Sequence, residues 1–189
     1  MPDANPPTAG KNPATAVLGY PVTHYCYVVP DIPEAVKFWS EVMGAGPFFL
    51  FEDVEFDFLD HPGGPAVFEH STVLGQWGPI AIELERMDVL TPETLAGALA
   101  PRTPGLNHVS CISPDPDADS ERLEALGCPR FLTGKTGDFD LRFHSAPLLG
   151  HAIELYRDNE FVHDFFAALK RSAEGWDGRE PLRAGLPPM

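Results

Sequence analysis

The tetrapeptide Ala-Ile-Glu-Leu occurs twice in the sequence, at residues 81–84 and again at residues 152–155. A histidine precedes each copy, and both of these histidines, His24 and His108, are followed six residues later by the pair Pro-Asp. From each histidine to the glycine predicted to end the next helix, the chain runs 20 and 19 residues, respectively. Matching segments at matching spacing indicate a duplicated structural unit. The chain is therefore predicted to contain two similar modules.

Each module has the same predicted order of elements. Residues 22–29 alternate as a strand, Asp31 and Pro33 are typical of a helix start, and runs with strand character follow before the first tetrapeptide. The second module repeats this order in fewer residues. The predicted fold class is α+β, with two paired βαβββ modules forming a cleft between curved mixed sheets, followed by a C-terminal helical extension.

The predicted boundaries follow from changes in composition along the chain. The proline-rich start has no apolar period and is predicted to be disordered or extended, and a stripe of apolar residues after the second module predicts a helix. The first module is longer because of an insertion within residues 45–80. The predicted segments are a tail (1–21), the first module (22–87), a linker with a short helix (88–105), the second module (106–157), and a C-terminal helix and tail (158–189).

Composition excludes several classes of function. The formal net charge of −15 argues against binding to nucleic acid or to an anionic membrane surface, because both require clustered Lys and Arg. No apolar run is long enough to cross a bilayer, and the first residues lack the pattern of a signal peptide, so a cytoplasmic location is expected. The three cysteines contain no C-x-x-C pair and are expected to be reduced and mostly buried.

The tetrapeptides place a glutamate in the same strand phase in both modules. On a strand, Glu83 and Glu154 point away from the neighbouring Ile and Leu, which can pack on the helix of the same module. Either glutamate alone is typical of a solvated position, as either histidine alone is typical of a satisfied polar residue. Their repetition favours a shared role, and two imidazoles with two carboxylates suit a divalent transition metal.

These paired H-x5-P-D and A-I-E-L segments resemble the vicinal oxygen chelate superfamily, which includes glyoxalases, bleomycin resistance proteins and extradiol dioxygenases. The resemblance covers about residues 22–157 and is nearest to glyoxalase I and methylmalonyl-CoA epimerase. It implies that the first and last strands of each module supply the metal ligands, which here are His24, Glu83, His108 and Glu154. It also implies one divalent ion, with Mn, Co, Ni, Fe and Zn all compatible with this ligand set.

The resemblance further implies an isomerase, epimerase or lyase that chelates a carbonyl substrate and moves its α-proton through an enolate. Glu154 or Glu83 would then shuttle the proton. Glu69 and Glu85 are outer candidates for this role, although each is more typical of a solvated carboxylate. His144 and His151 are candidates either for partners that support the metal ligands or for surface residues, and the surface position is favoured.

The expected partner is a small carbonyl compound. Six phenylalanines of the first module are candidates to line its pocket, although aromatic strand residues usually belong to the core; they are Phe48, Phe49, Phe51, Phe56, Phe58 and Phe68. The acidity weighs against a coenzyme A thioester, although the second half offers Arg130, Lys135, Arg142 and Arg157 for phosphates. The apolar C-terminal helix suggests a homodimer if it packs on a second subunit.

Two alternatives remain open from the sequence. An Fe(II) extradiol-type dioxygenase needs two histidines and one carboxylate, so a fourth protein ligand counts against it. A non-catalytic drug-binding protein would use an acidic, aromatic cleft to hold a ligand, but it has no need for a complete set of four metal ligands.

Overall fold

Two modules joined edge to edge form the protein, as the sequence predicts. The computed structural model describes residues 16–99 and 104–189. The first half contains β1 (Ala16–Val17), β2 (Tyr20–Val28), α1 (Ile32–Glu41), β3 (Phe48–Val54), β4 (Phe58–Asp60), β5 (Val67–Trp77), β6 (Ile80–Thr91) and α2 (Glu93–Leu99). The second half contains β7 (Gly105–Ser113), α3 (Pro116–Ala125), β8 (Arg130–Thr136), β9 (Phe139–Ala146), β10 (His151–Arg157), α4 (Glu160–Ala173) and β11 (Leu182–Ala184).

A single curved sheet runs through both modules. Its strand order is β11-β3-β5-β6-β2-β7-β10-β9-β8-β4, with β1 paired to β2. Within each module the first strand lies parallel to the last, and the modules meet where β2 pairs antiparallel with β7. The predicted α+β class is confirmed. The two sheets expected from the sequence are continuous, because the first strands of the two modules hydrogen-bond to each other.

The helices of the modules cover one face of the sheet, and α1 starts at the predicted cap. Asp31 accepts a hydrogen bond from the backbone N–H of Glu34 at the start of α1, and Asp115 accepts one from Ala118 in α3. In each module the Ile and Leu of the tetrapeptide pack in the same apolar cluster as the helix. The glutamate between them is thereby directed to the opposite, concave face of the sheet.

The insertion in the first half connects the two modules. Its strand β4 pairs with β8 at the far edge of the second module. The sequence predicts a loop from Gly134 to Gly137, but β8 continues to Thr136. The ring of Phe56 lies where a Cβ atom on Gly134 would be, 2.6 Å away. A glycine is therefore required in this strand by the close approach of the insertion.

The C-terminal extension is part of the same body. Helix α4 begins at the cap Asn159 and buries Val162, Phe165, Ala168 and Leu169. Phe165 and Leu169 pack with residues of β3, β5 and β6 on the concave side of the sheet. Strand β11 then pairs parallel with β3. The apolar stripe is thus used within the chain, so it gives no independent reason to expect a dimer.

The ends of the predicted segments shift by a few residues. Most of the predicted tail, residues 1–15, lies outside the described residues, and its last part forms β1 and the start of β2. Strand β6 extends into the predicted linker because its pairing with β5 continues to Thr91. The three cysteines are free, and Cys26 and Cys111 are buried. None of the described helices has the length and apolarity needed to cross a lipid bilayer.

Candidate metal centre and cavity

The four predicted ligands lie on the four central strands of the sheet. In the first module, His24 on β2 pairs with Ala81 and Cys26 pairs with Glu83; in the second, His108 on β7 pairs with Ala152 and Ser110 with Glu154. The register is therefore the same in both modules. Since β2 and β7 are neighbours, the duplicated strand pairs bring two histidines and two glutamates to one place on the concave face.

The side chains of these four residues converge. The Nε2 atoms of His24 and His108 are 3.2 Å apart. Glu83 Oε2 lies 3.0 Å from Nε2 of His24 and 3.4 Å from Nε2 of His108. Glu154 Oε2 lies 3.5 and 3.3 Å from the same two nitrogens, respectively. All four residues are buried, with His24 fully inaccessible.

Burial and mutual charge set the protonation of this quartet when no ion is bound. Burial disfavours the charged imidazole of His108, but the negative charges of the adjacent Glu154 and Glu83 outweigh it and raise its pKa to about 10. Burial likewise disfavours the carboxylate of Glu83, yet hydrogen bonds to His108 and His24 hold its pKa well below the usual value. Without a metal ion, a proton on His108 thus provides the positive charge that the carboxylates require.

The donor set fits a divalent metal ion. The ligand atoms of His24, Glu83 and His108 lie within 4.8 Å of one another. The buried Oε2 atom of Glu154 has no hydrogen-bond partner among the described residues, although an unpaired buried carboxylate oxygen is costly. Ligands at right angles on bonds of about 2.1 Å are about 3 Å apart, close to the observed separations. Two neutral imidazoles and two carboxylates would balance the charge of the ion.

An apolar cavity of about 460 Å³ opens above the quartet. Glu83, His108 and Glu154 lie at its floor, and Thr72 and Glu85 lie beside them. Its walls are mainly aromatic, with side chains from the insertion, from both modules and from α4; they include Phe51, Phe56, Phe68, Phe139, Phe143, Tyr156, Phe161 and Phe165. Helix α4 also covers His24, because the ring of Phe166 stacks on its imidazole with centroids 5.8 Å apart.

A protein-family model that matches this sequence identifies the superfamily of the chain. The model of the Glyoxalase/Bleomycin resistance protein/Dioxygenase superfamily matches residues 23–142, well over half of the chain. The chain belongs to this superfamily. The matched region contains His24, Glu83 and His108, whereas Glu154 lies beyond it on β10. The resemblance inferred from the repeated segments is confirmed.

Solved structures that are similar to this chain have low sequence identity to it. A methylmalonyl-CoA epimerase from Mycobacterium tuberculosis is 19% identical, covering 76% of this chain and 91% of that one, with a TM-score of 0.46. The Streptomyces coelicolor methylmalonyl-CoA epimerase bound to 2-nitronate-propionyl-CoA is 16% identical, covering 72% of this chain and 96% of that one, with a TM-score of 0.41. A hypothetical protein from Bacillus halodurans is 16% identical, covering 74% of this chain and 95% of that one, with a TM-score of 0.44. A search of curated proteins finds no significant match.

Beside the quartet lies a second polar cluster that the sequence did not identify as a unit. Cys26, Glu85 and His108 also have potential ligand atoms within 4.8 Å of one another, and Cys26 Sγ donates to Glu85 Oε2 at 3.5 Å. His70 Nε2 lies 3.8 Å from Glu85 Oε1. Burial and the charge of Glu83 raise the pKa of Glu85 to about 8, while burial lowers that of His70 to about 4.

The sequence interpretation of Glu85 as a solvated carboxylate is wrong. Glu85 shares the concave face of β6 with Glu83, and only 3% of its surface is accessible. Its strand phase, two residues after Glu83, was a signal that could have identified it. Glu69 is half-buried and does not line the cavity.

The predicted surface position of His144 is also wrong. His144 is fully buried, and its ring nitrogens lie 2.8 Å from Ser120 Oγ and 2.9 Å from the carbonyl oxygen of Cys128. These contacts tie β9 to α3 on the side of the sheet away from the cavity. His151 is half-buried, with Nδ1 2.9 Å from the carbonyl oxygen of Ala152. Neither histidine lines the cavity.

The six phenylalanines of the first half divide between cavity, core and surface. Phe51, Phe56 and Phe68 line the cavity, Phe48 and Phe49 are buried core residues, and Phe58 is 54% exposed. The aromatic wall from β9 and α4 was missed, because their apolar residues are typical of core packing and the sequence does not reveal the opening between them.

Thr72 holds one of the glutamates in place. Its hydroxyl donates a hydrogen bond to Glu83 Oε1 at 2.7 Å. The sequence does not indicate this role for Thr72, because β5 is buried on both faces and shows no clear alternation of polar and apolar residues. Partners that orient a metal ligand typically affect affinity by about 10–100-fold. We expect Thr72→Val to weaken metal binding by about that factor, measured by competition with a chelator.

Thr133→Val is the matched control for this substitution. The buried hydroxyl of Thr133 on β8 makes no hydrogen bond in the described part of the chain, and Thr133 does not line the cavity. Its replacement should leave metal affinity unchanged. Equal affinities in the two variants would show that the Thr72 hydroxyl does not support Glu83.

The pKa of His108 predicts how metal affinity depends on pH. A histidine binds a metal ion only as the neutral imidazole. In the ion-free protein the pKa of His108 is about 10, so its imidazole carries a proton at neutral pH. A binding ion must therefore displace this proton. Apparent affinity should rise about tenfold per pH unit between pH 7 and 9, after correction for the chelator used in the titration. An affinity that does not change over this range would contradict the protonated state.

Proposed function

We propose that the protein is a metal-dependent vicinal oxygen chelate enzyme of the isomerase, epimerase or lyase type. It would bind a carbonyl compound through two neighbouring oxygens and move the proton on the carbon beside the carbonyl. The observation that carries this proposal is the convergence of His24, Glu83, His108 and Glu154 beside an apolar cavity, which all of them except His24 line. A cavity of this size and lining is typical of small-molecule sites.

In this proposal the four residues hold one divalent ion, which is Mn, Co, Ni, Fe or Zn. When bound, the ion would supply Lewis acidity that stabilises the negative charge developing on the substrate oxygens. The chain contributes the remaining requirements. Aromatic walls exclude water from the reacting carbon, and the covered position of His24 beneath Phe166 keeps the centre inaccessible from the side of α4.

Glu154 is the better of the two predicted proton carriers. Glu83 is fixed by the hydroxyl of Thr72 at one oxygen and by His24 at the other. Glu154 Oε2 lies farther from the two imidazole nitrogens, at 3.3 and 3.5 Å, than Glu83 Oε2 lies from His24, so Glu154 can leave the centre at a lower cost. We therefore assign proton transfer to a carboxylate oxygen of Glu154 and a fixed ligand role to Glu83. Glu85, which also lines the cavity, is the second candidate for the base.

The test is α-proton exchange in D₂O, followed by NMR over a panel of hydroxy-ketones, hemithioacetals and acyl thioesters. Wild-type protein should exchange the α-proton of at least one compound only when loaded with metal. Glu154→Gln should lose this exchange by about 100-fold or more, since a positioned base contributes about 10²–10⁴ in rate. Exchange that persists after chelation of all metal would contradict the proposal.

Glu85→Gln separates the two candidate bases. It removes the carboxyl group but keeps its shape, and it leaves the proposed metal ligands intact. We expect it to retain the bound ion and most of the exchange rate. If Glu85→Gln loses exchange while Glu154→Gln keeps it, the base is Glu85.

An Fe(II) dioxygenase is a second candidate. His24, Glu83 and His108 form a compact group of two histidines and one carboxylate, which is the donor set of non-haem iron oxygenases. This candidate predicts oxygen uptake by the iron-loaded protein with catechols. It also predicts that Glu154→Ala retains iron, whereas the leading proposal predicts its loss.

The homodimer remains a prediction, with a small carbonyl compound as the expected ligand. Sedimentation equilibrium of the metal-loaded protein measures the subunit number directly. A mass of twice 20.6 kDa would support the dimer.

A further inference from the structure

The cavity lacks the groups that bind anionic substrates. No Lys or Arg from the described ranges lines it, and apart from Tyr156 its titratable lining residues are acids and histidines: His70, Glu83, Glu85, His108, Asp138 and Glu154. Phosphate and carboxylate groups in proteins are held by Arg, Lys or clustered backbone N–H groups. An anion in this cavity would meet aromatic carbon and carboxyl groups.

Two basic residues of the second half, Arg142 and Arg157, form ion pairs outside the cavity. Arg142 pairs with Asp117 at 2.9 Å and with Asp140, and it is largely buried. Arg157 pairs with the same two acids, at 2.7 and 2.6 Å. This four-residue ion-pair network lies outside the cavity lining. Of the four basic residues that the sequence suggested for phosphates, Arg142 and Arg157 already have carboxylate partners, and Arg130 and Lys135 do not line the cavity.

Part of the apolar wall comes from segments that this chain adds to its two modules. Phe56 belongs to the insertion that crosses to β8, and Phe161 and Phe165 belong to α4. Leu186, half exposed near the C-terminus, also contributes to the lining. Helix α4 and Leu186 lie beyond the region that the superfamily model matches. The C-terminal extension and the insertion therefore contribute to the shape and polarity of the cavity above the quartet.

We propose that the substrate is a ring-bearing, apolar carbonyl compound with two neighbouring oxygens and no anionic group, and that coenzyme A thioesters are excluded. The proposal rests on the proposed function for the role of the two oxygens. Its chemical basis is the aromatic wall together with the missing cation. An unpaired charge buried in apolar surroundings costs several kcal/mol, and the described lining offers no Lys or Arg to pair with a negative charge inside the cavity.

Binding to the zinc-loaded protein tests the class independently of turnover. The probes are two benzoins that carry either a para-sulfonamide or a para-sulfonate, which have nearly the same shape and differ in charge. Calorimetry should show the neutral sulfonamide binding about 100-fold more tightly than the sulfonate. Methylmalonyl-CoA should bind at least as weakly as the sulfonate. Equal or tighter binding of either anion would overturn the proposal.

A variant that supplies the missing cation gives a second test. Leu186→Arg places a guanidinium at an exposed edge of the cavity, and Leu186→Gln is the uncharged control. The arginine variant should reduce discrimination against the sulfonate by about tenfold or more, while the glutamine variant should discriminate like wild type. If the arginine variant also leaves discrimination unchanged, the lack of a cation does not determine the preference, and the proposal fails.

The outcomes separate this inference from the proposed function. Tight binding of the neutral benzoin without metal-dependent α-proton exchange in any compound of the panel would support the substrate class and contradict the reaction. Metal-dependent exchange of a coenzyme A thioester, with no binding of neutral ring compounds, would support the reaction and contradict the substrate class.

Discussion

Glu83→Ala and Glu154→Ala are each expected to lose the bound divalent ion, with affinity reduced by more than about 100-fold. Substitution of a group that merely orients a ligand costs about 10–100-fold, so removal of a ligand should cost more. Each variant also leaves two imidazoles with one carboxylate, so a bound ion would no longer be neutralised. Elemental analysis after dialysis against a metal buffer measures the occupancy.

Glu69→Ala is the control for these two variants. Glu69 is a half-buried glutamate on β5 that does not line the cavity. It should retain one ion per chain. Full occupancy in both quartet variants would disprove the ligand assignment, and loss of metal in the Glu69 variant would indicate a general effect on folding.

Phe165→Ala is expected to cause the largest loss of stability among single substitutions in the C-terminal extension. Phe165 is 1% exposed and packs in a cluster with Phe49, Leu74 and Leu169. Its ring also lies edge-on to Phe139, with centroids 5.4 Å apart. Truncation of a buried Phe costs about 3–5 kcal/mol, which is a large part of the stability of a typical domain. Urea unfolding of the metal-free protein measures the change.

Phe161→Ala provides the comparison within the same helix. Phe161 is half-buried and also contacts Phe139, with centroids 5.3 Å apart. Phe161→Ala removes the same number of atoms but leaves the buried cluster intact. Its loss of unfolding free energy should therefore be less than half that of Phe165→Ala. If the two variants lose equal stability, α4 is not anchored through Phe165.

The duplication explains why the quartet was accessible from sequence. His24 and His108 are each fixed by a strand followed by a Pro-Asp helix start, and Glu83 and Glu154 by the strand phase of identical tetrapeptides. Two copies of one local pattern need only a common register to converge, and the register is the same in both modules. Residues near the quartet that are not duplicated, such as Thr72, have no repeated sequence pattern that identifies them.

The parts of the site built by long-range contacts could not be predicted. The pairing of β4 with β8 joins residues far apart in the chain, and nothing in the local sequence of β4 specifies its partner. The apolar stripe of α4 predicts burial but not the surface that it covers. His144 was misplaced for the same reason, because its burial depends on Ser120 and Cys128 from another part of the second module.

Anomalous diffraction from crystals of the cobalt- or zinc-loaded protein would show directly whether the four residues of the quartet bind one ion. We expect one strong peak per chain, about 2.0–2.2 Å from Nε2 of His24, Nε2 of His108 and a carboxylate oxygen of each of Glu83 and Glu154. A peak coordinated instead by Cys26, Glu85 and His108, or no peak at the floor of the cavity at full metal loading, would contradict it.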